Sequence, residues 1–353
     1  MTGRLGIQLA PWCPTGELVA LGERLRDVVD TVWVQDQMLA RNVYATLAAL
    51  AHAGCGVGTN VACPLGRNPI EMASAAATID ELLPPGRELV VGLGTGGALV
   101  ASLFDKSRGL RVLREAIPLM RRLWAGEAVA LDEFPALGAA CGFRPGAVAK
   151  LTYPVRRPPE IVVSVGGPKV LALIGELADG LIAPSSMPAY SLAAFKSGRF
   201  GELSGLDGLA PARKLRMIFG INVSVSRDAA LARAHARRQA ALFVGNPRLW
   251  PDLEAVGLDL ESAQAVRAAF EAGLGIDGAA DRMSAELTDP LVVSGTPDEC
   301  AEAMAQLRGH AEAHGFTEFY LGAPLGPDPM EAAELLREEV IARVWPERLA
   351  PVA

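Results

Sequence analysis

The chain has 353 residues, a formal net charge of −7 and 50% hydrophobic residues. A chain this long and this apolar fills either two ordinary domains or one large α/β barrel. Its acidic balance argues against nucleic acid or an anionic membrane surface as the main partner. The five cysteines, Cys13, Cys55, Cys63, Cys141 and Cys300, are odd in number and show no CxxC spacing. That pattern fits reduced thiols in the cytoplasm better than a disulfide framework.

The opening stretch MTGRLGIQLAPW has no apolar segment of signal-peptide type after Arg4. Within it RLGIQLA (4–10) reads as a strand, followed by a helix near 15–29 and the strand TVWVQD (31–36). The run 43–66 carries no formal charge apart from His52 and is long enough to span a bilayer. Gly54, Gly56, Gly58, Asn60 and Pro64 interrupt it, so it reads as a helix (43–53), a loop and the strand CGVGTNVAC (55–63) of a soluble protein. A helix at 69–83, the strand ELVVGLG (88–94) and a long helix at 107–125 come next. Past an irregular patch lie EIVVSVG (160–166), a helix at 168–178 and DGLIAP (179–184). KLRMIFGINVSVS (214–226) leads to a helix at 228–243, and EFYLGA (318–323) to a last helix at 329–345.

Continuous apolar strands that alternate with helices point to a parallel sheet covered on both faces. Eight such units predict a single α/β domain over 1–353, a closed (β/α)8 TIM barrel, with a doubly wound open sheet as the alternative. Two stretches depart from the repeat and read as insertions: 126–159, rich in Pro, Gly and Ala, and a helical excursion over 244–296.

In such a barrel the working residues stand where strands end. Those ends hold Gln8, Asp36, Gln37, 60–67, 94–97, 164–169 and 184–187. His52, His235, His310 and His314 all lie elsewhere. The spacing of His310 and His314 allows a metal pair, but nothing nearby supplies a third ligand, and a solvated helix face is the plainer reading. Cys63 has no strand-end histidine to activate it, and Asp36 has no second carboxylate for hydrolysis. A mouth poor in acids, bases and metal ligands suits hydride transfer, in which a cofactor does the chemistry and the protein positions two rings.

The glycine-rich ends agree. GLGTGGAL (92–99) resembles a dinucleotide fingerprint but lacks the acidic residue about 20 positions on. SVGGPK (164–169) places glycines and a proline at a helix start, a natural phosphate seat with Lys169 beside it. Tight turns alone would also account for both.

Taken together, VWVQDQMLARNVYATLAALA (32–51), GTNVACPLGRNPIEMASAAATIDEL (58–82), GLGTGGAL, VSVGGPKVLALIGELADGLIA (163–183) and VSGTPDECAEAM (293–304) resemble the bacterial luciferase-like superfamily. The likeness is strongest to its coenzyme F420-dependent oxidoreductases and methylene-tetrahydropterin reductases, and it spans nearly the whole chain. It implies a non-prolyl cis peptide at Asn60–Val61, against which a deazaflavin lies. It also implies that Asp36, Cys63, Thr95 and Gly96 line the ring and that Gly166, Gly167, Lys169 and Val170 hold the phosphate-bearing tail. Gln37, Gly97 and Met187 stand where sugar-phosphate-oxidising members carry a histidine, an acid and a lysine, so that activity is not expected. RNVY (41–44) is closer to the pterin reductases, although Gln8 replaces their first-strand glutamate and cannot supply a proton.

The expected protein is a hydride-transfer enzyme with Gln8, Asp36 and Gln37 at the reacting centre, acting on a small molecule such as a reduced pterin or folate. F420 is the expected cofactor, with NAD(P)H as direct hydride donor or FMN as alternatives. An FMN-dependent monooxygenase and a non-catalytic cofactor-binding barrel are the competing readings. Resemblance also implies a cytoplasmic homodimer.

Overall fold

The computed structural model describes residues 3–209 and 214–349. Eight parallel strands close on themselves: β1 (Arg4–Leu9), β2 (Thr31–Val34), β3 (Val57–Thr59), β4 (Leu89–Leu93), β5 (Glu160–Ser164), β6 (Gly180–Pro184), β7 (Arg216–Val225) and β8 (Glu318–Leu325). Neighbours pair in chain order from β1 to β7, β8 joins β7 to β1, and the sheet has no free edge within this ring. The open-sheet alternative is thereby excluded. Each strand is nearly all buried because helices cover its outer face and side chains fill the interior.

The barrel interior is a packed layer of Trp33, Val90, Val162, Ile182, Ile218 and Tyr320. Two glycines make room for the largest of these. A Cβ on Gly6 would stand 2.6 Å from the Trp33 ring nitrogen, and one on Gly58 would stand 2.5 Å from its ring carbons. Beneath this layer the strand starts carry an ion cluster. Arg216 bonds Glu318 at 2.6 Å, Glu160 at 2.7 Å and Glu88 at 2.8 Å, and Arg4 also bonds Glu88. Burial opposes the Arg216 charge, but the surrounding carboxylates outweigh it and hold the guanidinium protonated.

The outer helices follow the expected spans with local differences. The first stops at Leu25, and the helix expected at 107–125 begins as a 3-10 turn, Lys106–Arg108, before Gly109–Trp124. Asn42, Asn68 and Asp228 cap their helices by accepting backbone amides, which fixes where each starts. The final segment passes from Pro329–Leu335 through a π-helical turn, Leu336–Ile341.

Residues 126–159 hold a two-stranded antiparallel pair, Val129–Ala130 with Val148–Ala149, around the helix Pro135–Cys141. Residues 244–296 contain the helices Trp250–Ala255, Leu260–Glu271, Gly275–Ala280 and Ala285–Thr288. These pack on Ala229–Val244 around a separate apolar cluster that includes Leu253, Val266, Leu287 and Leu291. The stretch is not wholly helical as expected: Val293–Gly295 is a short strand parallel to β7. Among the described residues no helix is long and apolar enough to cross a membrane.

Candidate active site

The C-terminal ends of β1, β2 and β3 bring three glutamine amides into one chain. Gln8 Nε2 donates to the Asn60 carbonyl at 3.3 Å, Gln35 Nε2 donates to Gln8 Oε1 at 3.1 Å, and Gln37 Nε2 donates to Gln35 Oε1 at 3.1 Å. A carbonyl can only accept, so the Asn60 contact fixes which end of Gln8 is nitrogen and thereby orients all three amides. Gln37 consequently ends the chain with its oxygen free to accept. Gln35 escaped the sequence reading, since its strand-end place in TVWVQDQ is the only signal it gives.

Asp36 points elsewhere. Arg67 holds both of its oxygens, with Nη2 to Oδ1 at 2.7 Å, and the Met38 amide donates to Oδ1 at 3.2 Å. Its side chain is only 2% exposed. The carboxylate is thus engaged by Arg67 and by the loop after β2. The pair raises the Arg67 pKa, chiefly through the Asp36 hydrogen bonds. Tyr44 from RNVY lies under Arg67, 6.0 Å from guanidinium to ring centroid, and burial together with the Asp36 charge keeps its phenol protonated.

At the end of β3 the Asn60–Val61 peptide is cis, as expected. Asn60 is 8% exposed, and its side-chain amide faces the Tyr320 phenol, which it favours in the ionised form against burial. Close approach of β4 makes this turn possible: a Cβ on Gly92 would fall 2.0 Å from the Thr59 carbonyl and one on Gly94 2.8 Å from Val61. Cys63 packs against Gly96, where an added Cβ would meet its Sγ at 3.0 Å. Burial pushes the Cys63 thiol up, against the Leu65 and Gly66 amides and the Lys106 charge. Gly96 itself has φ +85°, and its carbonyl accepts from Lys106 Nζ. Opposite this wall Asn222 Nδ2 donates to the Ala323 carbonyl at 2.6 Å, and burial pushes the Tyr320 phenol up to about 12.

The run 166–170 begins the helix Pro168–Leu177, whose N-cap Gly167 offers no side-chain acceptor to the first-turn amides. Gly166 lies against Val170, Gly167 faces open space, and Lys169 is exposed. Thr95 and Val170 then meet in one hollow of about 580 Å3, which Lys106, Ser107 and Arg248 also line. Neither Lys106 nor Arg248 stood out in the sequence, because their convergence depends on the helical excursion folding back over the loop after β4. His310 and His314 lie away from this site and pack on phenyl rings, His310 stacked and His314 edge-on. Phe195 is 5.2 Å from His310 and Phe200 is 4.4 Å from His314 between centroids, so this helix face covers an aromatic cluster.

The model of the luciferase-like monooxygenase family matches residues 15–314. Over 329 residues the chain is 31% identical to the 5,10-methylenetetrahydromethanopterin reductase of Archaeoglobus fulgidus, covering 89% of this chain and 91% of that protein. Over 301 residues it is 32% identical to the F420-dependent glucose-6-phosphate dehydrogenase of Kribbella flavida, covering 81% of this chain and 78% of that protein. The solved coenzyme F420 dependent tetrahydromethanopterin reductase of Methanopyrus kandleri matches 97% of this chain and 99% of its own at a TM-score of 0.73 and 21% identity, a likeness of fold.

Proposed function

Because the chain belongs to the luciferase-like monooxygenase family, we propose that it is an F420-dependent oxidoreductase that reduces a carbon carried by a reduced pterin, as methylene-tetrahydropterin reductases do. The observation that carries this reading is the oriented amide chain Gln8–Gln35–Gln37 at a mouth where Arg67 already occupies the Asp36 carboxylate. Such a mouth positions a planar, hydrogen-bonding heterocycle and leaves the reaction to a cofactor.

The residues present fit F420. Gly97 and Gly167 leave open space where a side chain would stand, one in each of the two glycine-rich runs. Asn60, Val61, Cys63, Thr95 and Gly96 would hold the ring, and Gly166, Gly167, Lys169 and Val170 the phosphate-bearing tail. When bound in reduced form, F420 supplies the hydride. Gln8 is held by Asn60 and Gln35 so that its amide orients the pterin near the reacting nitrogen. Gln37 accepts from a substrate N–H, and Asp36 acts through Arg67 by fixing the loop beneath them. No protein group in this chain of contacts can release a proton at neutral pH, so the protonation that completes the reduction is left to solvent.

Overall similarity to archaeal pterin reductases, extending over nine-tenths of both chains, supports the pterin as substrate. Similarity to sugar-phosphate dehydrogenases is comparable in identity, but Gln37, Gly97 and Met187 lack the groups that the resemblance assigns to that activity. Fluorescence titration of the pure protein with F420, FMN and NADPH tests the reading. F420 binding is expected, and reduced F420 should be oxidised to F420 on adding methylene-tetrahydropterin. Binding of FMN with oxygen consumption, or of none of the three, would overturn it.

A further inference from the structure

We propose that Lys106 and Arg248 form a two-cation clamp that seats the acidic tail of the cofactor and so selects F420 over its uncharged chromophore; this rests on the reading above. Lys106 comes from the turn after β4, whereas Arg248 is carried over the hollow by the turn Pro247–Leu249 at the head of the helical excursion. The protein has 40 acidic and 33 basic side chains, yet among the described residues no carboxylate pairs with either cation. Asp105 also lines the hollow, but its oxygens are taken by the Ser107 amide at 2.9 Å and the Ser107 hydroxyl at 2.7 Å. Lys106 spends one donor on the Gly96 carbonyl and keeps two.

The two charges also feel each other. Burial, and then the nearby Arg248 charge, lower the Lys106 pKa, so the two cations repel across the hollow. The hollow opens between Thr95 and Val170, one from the run assigned to the ring and one from the run assigned to the tail. An anion placed there is therefore continuous with a ring lying on Asn60–Val61. Its volume of about 580 Å3 lies within the range of pockets that hold whole small ligands, roughly 300–1,000 Å3. It has room for a phosphate and further acidic groups. An acidic substrate would be drawn to the same charges, and the two sources separate experimentally.

The test measures dissociation constants for F420 and for the deazaflavin chromophore lacking phosphate and tail, using wild type, Arg248→Ala and Lys106→Met. Arg248 is exposed and is the safer variant for folding; thermal melts check both. Expected are a loss of about tenfold in F420 affinity for each variant, a steep fall of wild-type affinity with salt, and chromophore affinity unchanged throughout. If wild type binds F420 and chromophore equally, or the variants bind F420 as wild type does, the clamp is overturned while the F420 reading stands. A raised KM for substrate with unchanged F420 affinity would likewise overturn it in favour of an anionic substrate. If wild type binds neither deazaflavin, both readings fall.

Discussion

Arg67 holds both carboxylate oxygens of Asp36, and the Asp36 side chain retains only 2% of its surface in contact with solvent. Removing the arginine strands a buried charge, which typically costs about 3–5 kcal/mol. Arg67→Met is therefore expected to lower unfolding stability by that order, and Arg67→Lys by less, since it keeps the charge but loses the two-point fit. Urea unfolding checks this. A loss below about 1 kcal/mol in Arg67→Met would show that the pair does not brace the loop.

Gln8→Glu is expected to raise methylene-tetrahydropterin reduction by at least tenfold, because a carboxyl in this place can supply the proton that an amide cannot. The Gln35 amide would still donate to one oxygen, while the Asn60 carbonyl would face the other and favour its protonated form. The gain should fade as pH rises and the carboxyl ionises, giving a basic limb that wild type lacks. An unchanged or lower rate in a folded variant would take Gln8 out of the mechanism.

Gln35→Leu interrupts the amide chain in the middle and leaves the Gln8 oxygen and the Gln37 nitrogen without their partners. The stability loss should be about 1–3 kcal/mol. F420 affinity should stay near wild type while kcat/KM for the pterin falls, which titration and steady-state kinetics measure separately. Equal losses in both would mean that the chain supports the ring seat rather than the substrate.

Gly92→Ala would place a methyl group 2.0 Å from the Thr59 carbonyl, where only backbone movement makes room. A destabilisation of about 1–3 kcal/mol or more is expected from such overpacking. The same shift would disturb the Thr59 hydroxyl, which donates to the Gly92 carbonyl at 2.7 Å. Thermal unfolding of Gly92→Ala beside Gly309→Ala, at an uncrowded helix position without positive φ, measures the difference. Equal melting points would remove the close approach as a constraint.

His235 is neutral in the fold: burial, and then the Arg238 charge, lower its pKa from 6.5. A base whose pKa is depressed on folding binds fewer protons folded than unfolded. Its contribution to stability is complete above 6.5 and is lost as pH falls below that value toward the folded pKa. His235→Gln is expected to flatten the pH dependence of stability in this acidic window, as read by unfolding at stepped pH. An unaltered slope would assign the acid sensitivity elsewhere.

All eight barrel strands were legible in the sequence because each lies in an apolar run between helices, including the three-residue β3 within the run 55–63. Asn60–Val61 was legible through resemblance, since no local signal marks a cis bond between those two residues. The partners were not legible. Asp36 reads as a free strand-end acid until Arg67, 31 residues later, is seen to occupy it. Lys106 and Arg248 are far apart in the chain and meet only because the excursion folds over the β4 loop. The ring contacts of His310 and His314 depend on phenylalanines more than a hundred residues away.

The ion cluster around Arg216 has a kinetic consequence. It bolts together the starts of β1, β4, β5, β7 and β8 beneath a solid layer of side chains, so the barrel is a cup with a sealed floor. Whatever enters at the rim must leave by the rim. Two reactants that shared this one doorway would leave in order, the outer before the inner. Turnover in such a vessel is governed by the order of unloading, and the outer product should inhibit exchange of the inner partner.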